Sequence, residues 1–422
     1  MNQFDYRDNQ LFAEDVPIRQ IAERYGTPCY IYSAGALRQH YRTMNEAFAG
    51  VDHTICFAMK ALSNLSVLRL FAGLGAGFDI VSGGELDRCL RIGADPRKIV
   101  FSGVGKTDDE INAALDAGIL MINVESAPEL RRISELARRR GVDAPVSLRV
   151  NPDLDPGTHP HISTGHRDSK FGIPLKEVFE YYAEARRLPN LELVGLSTHI
   201  GSQITDTAPF AEAGQKVAAI VAGLRSDGIA LRYLDLGGGL GIPYQEIPPS
   251  ASEYAAAILA PLGLTGLKII IEPGRMLVGN AGILVTRVMW VKETDVRRFV
   301  VIDGAMNDLI RPVLYEAYHE IRPVDRAAPG KPIVADIVGP VCESGDFFAQ
   351  QREMPEPRDG DLLAVMSAGA YGFVMASNYN SRPRAVELIV DGAAVHIIRE
   401  RETYDDLVRG ERIVELPSDG NA

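Results

Sequence analysis

Ile55-Cys56-Phe57-Ala58-Met59-Lys60-Ala61-Leu62-Ser63-Asn64 reads as an apolar strand that runs into a single lysine and then a turn. A lysine in that place is desolvated on one side and open to a cleft on the other. Such a setting lowers the pKa of an amine and suits it to Schiff-base chemistry. The plain alternative is a strand-end lysine pointing into water, and the stretch taken alone favours it. What decides is how many later strands end in the same manner.

Outward from this stretch, Asp52 to Arg275 alternates short β-like runs with amphipathic helical runs. The strand candidates are Thr54–Lys60, Phe78–Ser82, Ile99–Ser102, Leu120–Glu125, Val146–Asn151, Leu193–His199, Tyr233–Gly237 and Lys268–Glu272. A (β/α)8 barrel needs about that many. Between them, Thr107-x-x-Glu110 and Ser126-x-x-Glu129 read as capping boxes. Leu130, Ile133, Leu136 and Ala137 then share one helical face, and Arg138-Arg139-Arg140 closes that helix before Gly141. A doubly wound open sheet is the rival, but it gathers its ligand at one switch point. Here Lys60, Ser82, Asn151, His199, Gly237–Gly239 and Glu272 end many strands, as at the C-terminal mouth of a closed barrel.

Beyond Arg275 helical patterns become rare. Ile283–Val291, Phe299–Ile302, Ile333–Val338, Leu362–Val365 and Ala385–Leu388 are strand-like, with a turn at Pro355-Glu356-Pro357 and Asp359-Gly360. The expected fold class is therefore α/β, a (β/α)8 TIM barrel with a second, mostly antiparallel β domain. The expected boundaries are an N-terminal segment 1–33, whose Pro28–Tyr32 run pairs with the β domain, a barrel 34–276 and a β domain 277–422. The last residues, Ser418–Ala422, read as frayed.

Composition narrows the function. A net charge of -12 argues against nucleic acid and against anionic membrane surfaces, though local arginines can still hold a small anion. No apolar run reaches membrane-spanning length, and Met1-Asn2-Gln3-Phe4-Asp5 does not resemble a signal peptide. Cys29, Cys56, Cys89 and Cys342 show no paired spacing, which suits a reducing cytoplasm.

Several stretches carry chemistry. Leu236-Gly237-Gly238-Gly239-Leu240-Gly241 follows a strand and lets backbone N–H groups close around a phosphate; Ile242 stands where a dinucleotide fingerprint needs glycine. In Ile271-Glu272-Pro273-Gly274-Arg275 the carboxylate can face a ring nitrogen, or simply pair with Arg275. His199 can stack on a flat cofactor or be a satisfied strand-end histidine. His159 and His161 are loop residues first and metal ligands a distant second, so no metal is expected. Arg311 offers a bidentate fork for a carboxylate, with Tyr315 four residues on. Cys342-Glu343 sets a thiol that can deliver a proton beside a carboxylate, and Tyr371 lies between glycines.

Taken together, from Tyr25-Gly26-Thr27-Pro28 to Tyr404-Asp405-Asp406, the chain resembles the fold-type III (alanine racemase-like) pyridoxal-phosphate decarboxylases, and among them those acting on diaminopimelate. The motifs that carry the resemblance include Val81-Ser82-Gly83-Gly84-Glu85, Arg149-Val150-Asn151-Pro152, Ser169-Lys170-Phe171-Gly172, His199-Ile200-Gly201-Ser202, Glu272-Pro273-Gly274-Arg275 and Cys342-Glu343-Ser344-Gly345-Asp346. Ala61-Leu62 departs from the Ala-Asn common in the wider superfamily. The resemblance implies pyridoxal 5'-phosphate on Lys60, stacked by His199, with Glu272 at the ring nitrogen. Gly238, Gly239, Gly274, Arg275 and Tyr371 would hold the rest of the cofactor. Arg275, Arg311, Tyr315, Glu343 and Tyr371 would bind the substrate, and Cys342 would protonate the product. It further implies conversion of meso-2,6-diaminopimelate to L-lysine and carbon dioxide, the last step of lysine biosynthesis, in a homodimer whose site is shared across the interface. Alternatives on a related fold are a decarboxylase of ornithine, arginine, lysine or carboxynorspermidine, an alanine racemase, and a non-catalytic pyridoxal-phosphate carrier.

Overall fold

The computed structural model describes residues 4–154, 169–263, 266–326 and 331–416. His159, His161 and Ser418–Ala422 lie outside the described residues.

Eight parallel strands close into a barrel: His53–Ala58, Gly77–Ile80, Ile99–Phe101, Met121–Val124, Ala144–Asn151, Leu191–Thr198, Tyr233–Asp235 and Lys268–Ile271. Closure is completed where Ile269–Ile271 pairs with His53–Ile55. Seven of the eight strands stop one or two residues short of their sequence-based ends, so most of the polar residues sit on the turns at the mouth; the fifth ends at Asn151 as expected. Lys60 belongs to a 3-10 turn, Met59–Ala61, rather than to the strand before it. Asn64 then caps the helix Leu65–Gly73 by accepting from Ser66 N–H.

The period of two along each strand layers the barrel interior. Cys56, Val100, Met121, Val194 and Ile270, from five different strands, pack into one apolar plug. Two residues further toward the mouth the inward positions turn polar, at Ser102, Asn123 and Glu272. The plug keeps water out from below, and the polar layer becomes the floor of a cavity. Outward residues such as Phe57 pack against the helices instead, here on Phe71 with ring centroids 4.7 Å apart.

The Thr107 capping box is complete. At Ser126 only half of the expected box exists: Ser126 accepts from Glu129 N–H, but the Glu129 carboxylate turns back to Glu125 N–H at 2.6 Å. It does so because buried Lys106 pairs with its other oxygen at 2.7 Å.

A second, nine-stranded sheet is mostly antiparallel, with Gly282–Glu293 as its long central strand. Cys29–Ser33 lies between that strand, to which it is antiparallel, and Val386–Asp391, to which it is parallel. Phe347–Pro355 and Ala394–Arg399 are further strands absent from the sequence reading, as are the small sheet Phe4–Arg7, Gln10–Ala13, Val16–Pro17 and the helix Ile18–Tyr25. Phe347–Pro355 turns polar after its first three residues, while Ala394–Arg399 is mostly apolar in sequence yet largely exposed.

Candidate active site

A cavity of about 330 Å³ opens at the barrel mouth, and every barrel strand or the turn after it contributes to its lining. Lys60, Asn123, Arg149, His199, Asp235 and Glu272 all face it.

Lys60 Nζ lies 2.7 Å from Asp79 Oδ2, and the aspartate is wholly buried. Burial alone would lower the lysine's pKa. The Asp79 carboxylate, and after it that of Glu272, more than offsets this, so the pKa is raised. The sequence reading expected the opposite sign. The correction has a simple cause: the carboxylates come from other strands and leave no trace near position 60.

Glu272 is buried with Oε1 unpartnered, and its carboxyl hydrogen-bonds to that of Asp235. Burial, then Asp235, pushes Glu272 well above the usual carboxylate range. Asp235 is pushed up to about 6, chiefly by burial, although Asn123 Nδ2 donates to it at 2.9 Å and Gly237 N–H at 3.0 Å. His199 accepts from Gly238 N–H through Nδ1 at 3.2 Å. Burial, with Arg149 and Lys60 nearby, holds its pKa well below 6.5, so a neutral imidazole faces the cavity. The same bond occupies the Gly238 N–H. A side chain on Gly238 would overlap the Glu272 carbonyl, and one on Gly239, at φ 111°, would meet Gly201 O.

Arg275 and Arg311 form a second group. Both are buried, and neither has an acidic partner among the described residues. Arg275 donates to Tyr244 Oη at 3.0 Å and to Ser202 Oγ at 3.2 Å, and its guanidinium lies 4.9 Å from the Tyr371 ring centre. Arg311 donates to the same Tyr244 oxygen at 2.7 Å and to His319 Nε2 at 2.9 Å. His319 gives its Nδ1 proton to Met366 O at 2.8 Å, and burial with Arg311 beside it lowers its pKa to about 3. Two buried cations without a counter-ion make a strong anion site, since each still has an unpartnered Nε. Tyr371 bonds back to the Lys60 turn, N–H to Ala61 O at 2.9 Å, and so ties the arginine group to the cavity. Gly274 packs closely on Ala58 and Ala61, which seats Arg275 beside the same turn.

Cys342 and Glu343 are exposed and do not line the cavity; Cys342 N–H donates to Asn380 Oδ1 at 2.9 Å. Tyr315 ends the short helix that Arg311 begins. The sequence reading missed Asp79, Asp235, Tyr244 and His319. For the first two a signal existed: an aspartate inside an apolar strand is out of place unless it is used.

Comparison with known proteins agrees with this geometry. Residues 34–279 match the family model described as "Pyridoxal-dependent decarboxylase, pyridoxal binding domain". A diaminopimelate decarboxylase of Pseudomonas aeruginosa is 52% identical over 415 residues, covering 98% of this chain and 100% of that protein. The chain belongs to the diaminopimelate decarboxylase family. It is a pyridoxal-phosphate-dependent carboxy-lyase by that membership. The Helicobacter pylori member, solved in complex with L-lysine, is 44% identical with a TM-score of 0.90, over 93% of this chain and 98% of that one. The crystal structure of diaminopimelate decarboxylase from M. jannaschi is 38% identical with a TM-score of 0.93, over 98% of each chain. The barrel with its second β domain is the architecture these structures share. Among the described residues no helix is long and apolar enough to cross a membrane, and no group of metal-ligating side chains is assembled.

Proposed function

We propose that this chain decarboxylates meso-2,6-diaminopimelate to L-lysine and carbon dioxide, the last step of lysine biosynthesis, using pyridoxal 5'-phosphate held on Lys60. The observation that carries the substrate assignment is the pair Arg275 and Arg311, buried without an acidic partner among the described residues and aimed at one phenol. Ornithine, arginine and lysine lack the second carboxylate such a pair would take. A racemase would not need Cys342 and Glu343, and a single-barrel carrier would not need a second domain supplying Arg311 and Tyr371.

The residues present fit the cofactor. The free Glu272 Oε1 suits a ring nitrogen, the flat neutral His199 suits the ring face, and the glycines leave room that a side chain would fill. Gly239, Gly274, Arg275 and Tyr371 would hold the phosphate end, joined by Gly238 if its bond to His199 yields. When bound, the cofactor supplies an electron sink for the carbanion left by loss of carbon dioxide.

The chain's own contribution is binding, orientation and proton placement. Lys60 must shed a proton before its amine can react, and Asp79 Oδ2 at 2.7 Å is the acceptor at hand. Arg311 and Tyr315, with Arg275 and Tyr371, fix the far end of the substrate, and Glu343 takes its distal ammonium. Fixing that end sets which bond at the α-carbon stands perpendicular to the ring and breaks. Cys342 then gives the product carbon its proton. Because Cys342 and Glu343 are exposed and away from the cavity, they would act in the site of a partner subunit, in a cytoplasmic homodimer.

Two measurements test this. Purified protein should show the absorbance of lysine-bound pyridoxal phosphate, lost in Lys60→Ala, and should release carbon dioxide from meso-diaminopimelate faster than from ornithine, arginine or lysine. Faster turnover of any of those would overturn the assignment. For the shared site, equal mixing of inactive Lys60→Ala and Cys342→Ala dimers should restore about one quarter of wild-type activity by subunit exchange. No recovery after demonstrated exchange would place both residues in one protomer's site.

A further inference from the structure

Asp235 is a buried carboxyl with no role in the reaction described so far. It sits in the seventh barrel strand, 1% exposed, one layer above the apolar plug. Its two oxygens are both spoken for. Oδ2 accepts from Asn123 Nδ2 at 2.9 Å, and Oδ1 accepts from the backbone of Gly237 at 3.0 Å. Asn123 is itself fixed, because its amide also donates to Ser102 Oγ at 3.0 Å. A third bond joins Asp235 to the Glu272 carboxyl.

Two carboxyls can hydrogen-bond only if one keeps its proton. The donors decide which. Asp235 already accepts two N–H bonds, which favour its ionised form. Among the described residues no N–H donates to the Glu272 side chain; its Oε1 is buried without a partner, and the residue lines the cavity. The proton therefore resides on Glu272 and points at Asp235, so the pair carries one negative charge.

We propose that Asp235 is a positioning residue for the pyridine end of the cofactor. By one shared proton it holds Glu272 with Oε1 facing the ring nitrogen, so that the pair, not Glu272 alone, supplies the counter-charge there. This rests on the reading of Glu272 as the ring-nitrogen partner. A protonated ring nitrogen would donate to Oε1 while the Glu272 O–H stays on Asp235, and no proton has to be gained or lost by the pair. The groups that face this pair from neighbouring elements are Asp79 and Lys60 on the cavity side and Cys56 and Tyr254 behind it. Of these only Lys60 is cationic, and it is already paired with Asp79. The counter-charge at the ring is thus not neutralised from within the barrel.

The test compares Asp235→Asn, Glu272→Gln and the double variant with the wild type. One readout is the affinity of the apoprotein for pyridoxal 5'-phosphate, followed by absorbance from pH 6 to pH 9. The other is the infrared carbonyl stretch of protonated carboxyls in the wild-type apoprotein at pH 7. Asp235→Asn and Glu272→Gln should each weaken cofactor binding at least ten-fold and change its pH profile, and the double variant should be no worse than the poorer single one, because the two act as a unit. The infrared band should lose intensity in Glu272→Gln. If Glu272→Gln alters binding and its pH profile while Asp235→Asn leaves both as in the wild type, Asp235 is structural and the proposal fails. If Glu272→Gln changes neither, the reading of Glu272 itself fails. Should Asp235→Asn not fold, Asn123→Ala keeps the Asp235 carboxyl but removes one of its donors. It should then displace the pH profile in the same direction as Glu272→Gln, and an unchanged profile would overturn the proposal.

Discussion

Arg275 and Arg311 donate to the same atom, Tyr244 Oη, at 3.0 and 2.7 Å. One guanidinium follows the last barrel strand and the other begins a short helix before the second sheet is complete. Like charges are brought together here by one phenol oxygen that accepts from both, and each guanidinium keeps an unpartnered Nε.

Tyr244→Phe removes that shared acceptor and leaves two buried donors unmatched. The apoprotein should lose about 1–3 kcal/mol of stability, read as a lower urea midpoint with an unchanged slope. A midpoint equal to wild type would mean that water or a neighbour replaces the phenol without loss.

Asp79→Asn takes away the carboxylate that raises the Lys60 pKa most strongly. The ammonium then loses its partner while burial still disfavours charge, so the pKa must fall. Capture of pyridoxal phosphate by the apoprotein, followed by absorbance against pH, should shift its midpoint to lower pH. A shift upward would show that Asp79 does not govern this amine.

Asp308 gives the fold a pH dependence remote from the chemistry. Burial pushes it from an ordinary 3.8 up to about 7, although it accepts Ala305 N–H at 2.9 Å. The folded state therefore holds this proton more tightly than the unfolded chain does. Its contribution is complete below about pH 4 and is lost as pH rises toward 7, by at most about 1.4 kcal/mol per pH unit. Asp308→Asn stays neutral and keeps the acceptor. Urea titrations of the apoprotein should show a flatter fall in stability between pH 5 and 7 than in the wild type.

Cys342→Ala should leave cofactor absorbance intact and lower kcat by roughly 10²-fold or more, as expected for removal of a proton donor. An unchanged kcat would assign that proton to another group.

Much of this was legible because a barrel puts its working residues where strands end. Lys60, His199 and Glu272 each follow an apolar run, and all three line one cavity. What the sequence hid lies one step inside the strand or far along the chain. Asp79 and Asp235 each stand out inside an apolar strand, but their partners are fixed only when the barrel closes and brings Lys60 to one and Asn123 and Glu272 to the other. Tyr244 sits in a loop without periodicity, and His319 is wholly buried with nothing adjacent to say so. The direction of the Lys60 pKa shift was misjudged for the same reason, since desolvation is visible locally and a carboxylate 19 residues away is not.

Cys29–Ser33, held between Gly282–Glu293 and Val386–Asp391, also sets an order of events during synthesis. The strand leaves the ribosome early, but one edge partner is made only when residue 391 has been added. The barrel can close by about residue 271. The second sheet cannot, so the helix bearing Arg311 is anchored late, and a chain cut short near its C-terminus should retain a barrel with half of its binding apparatus unfastened.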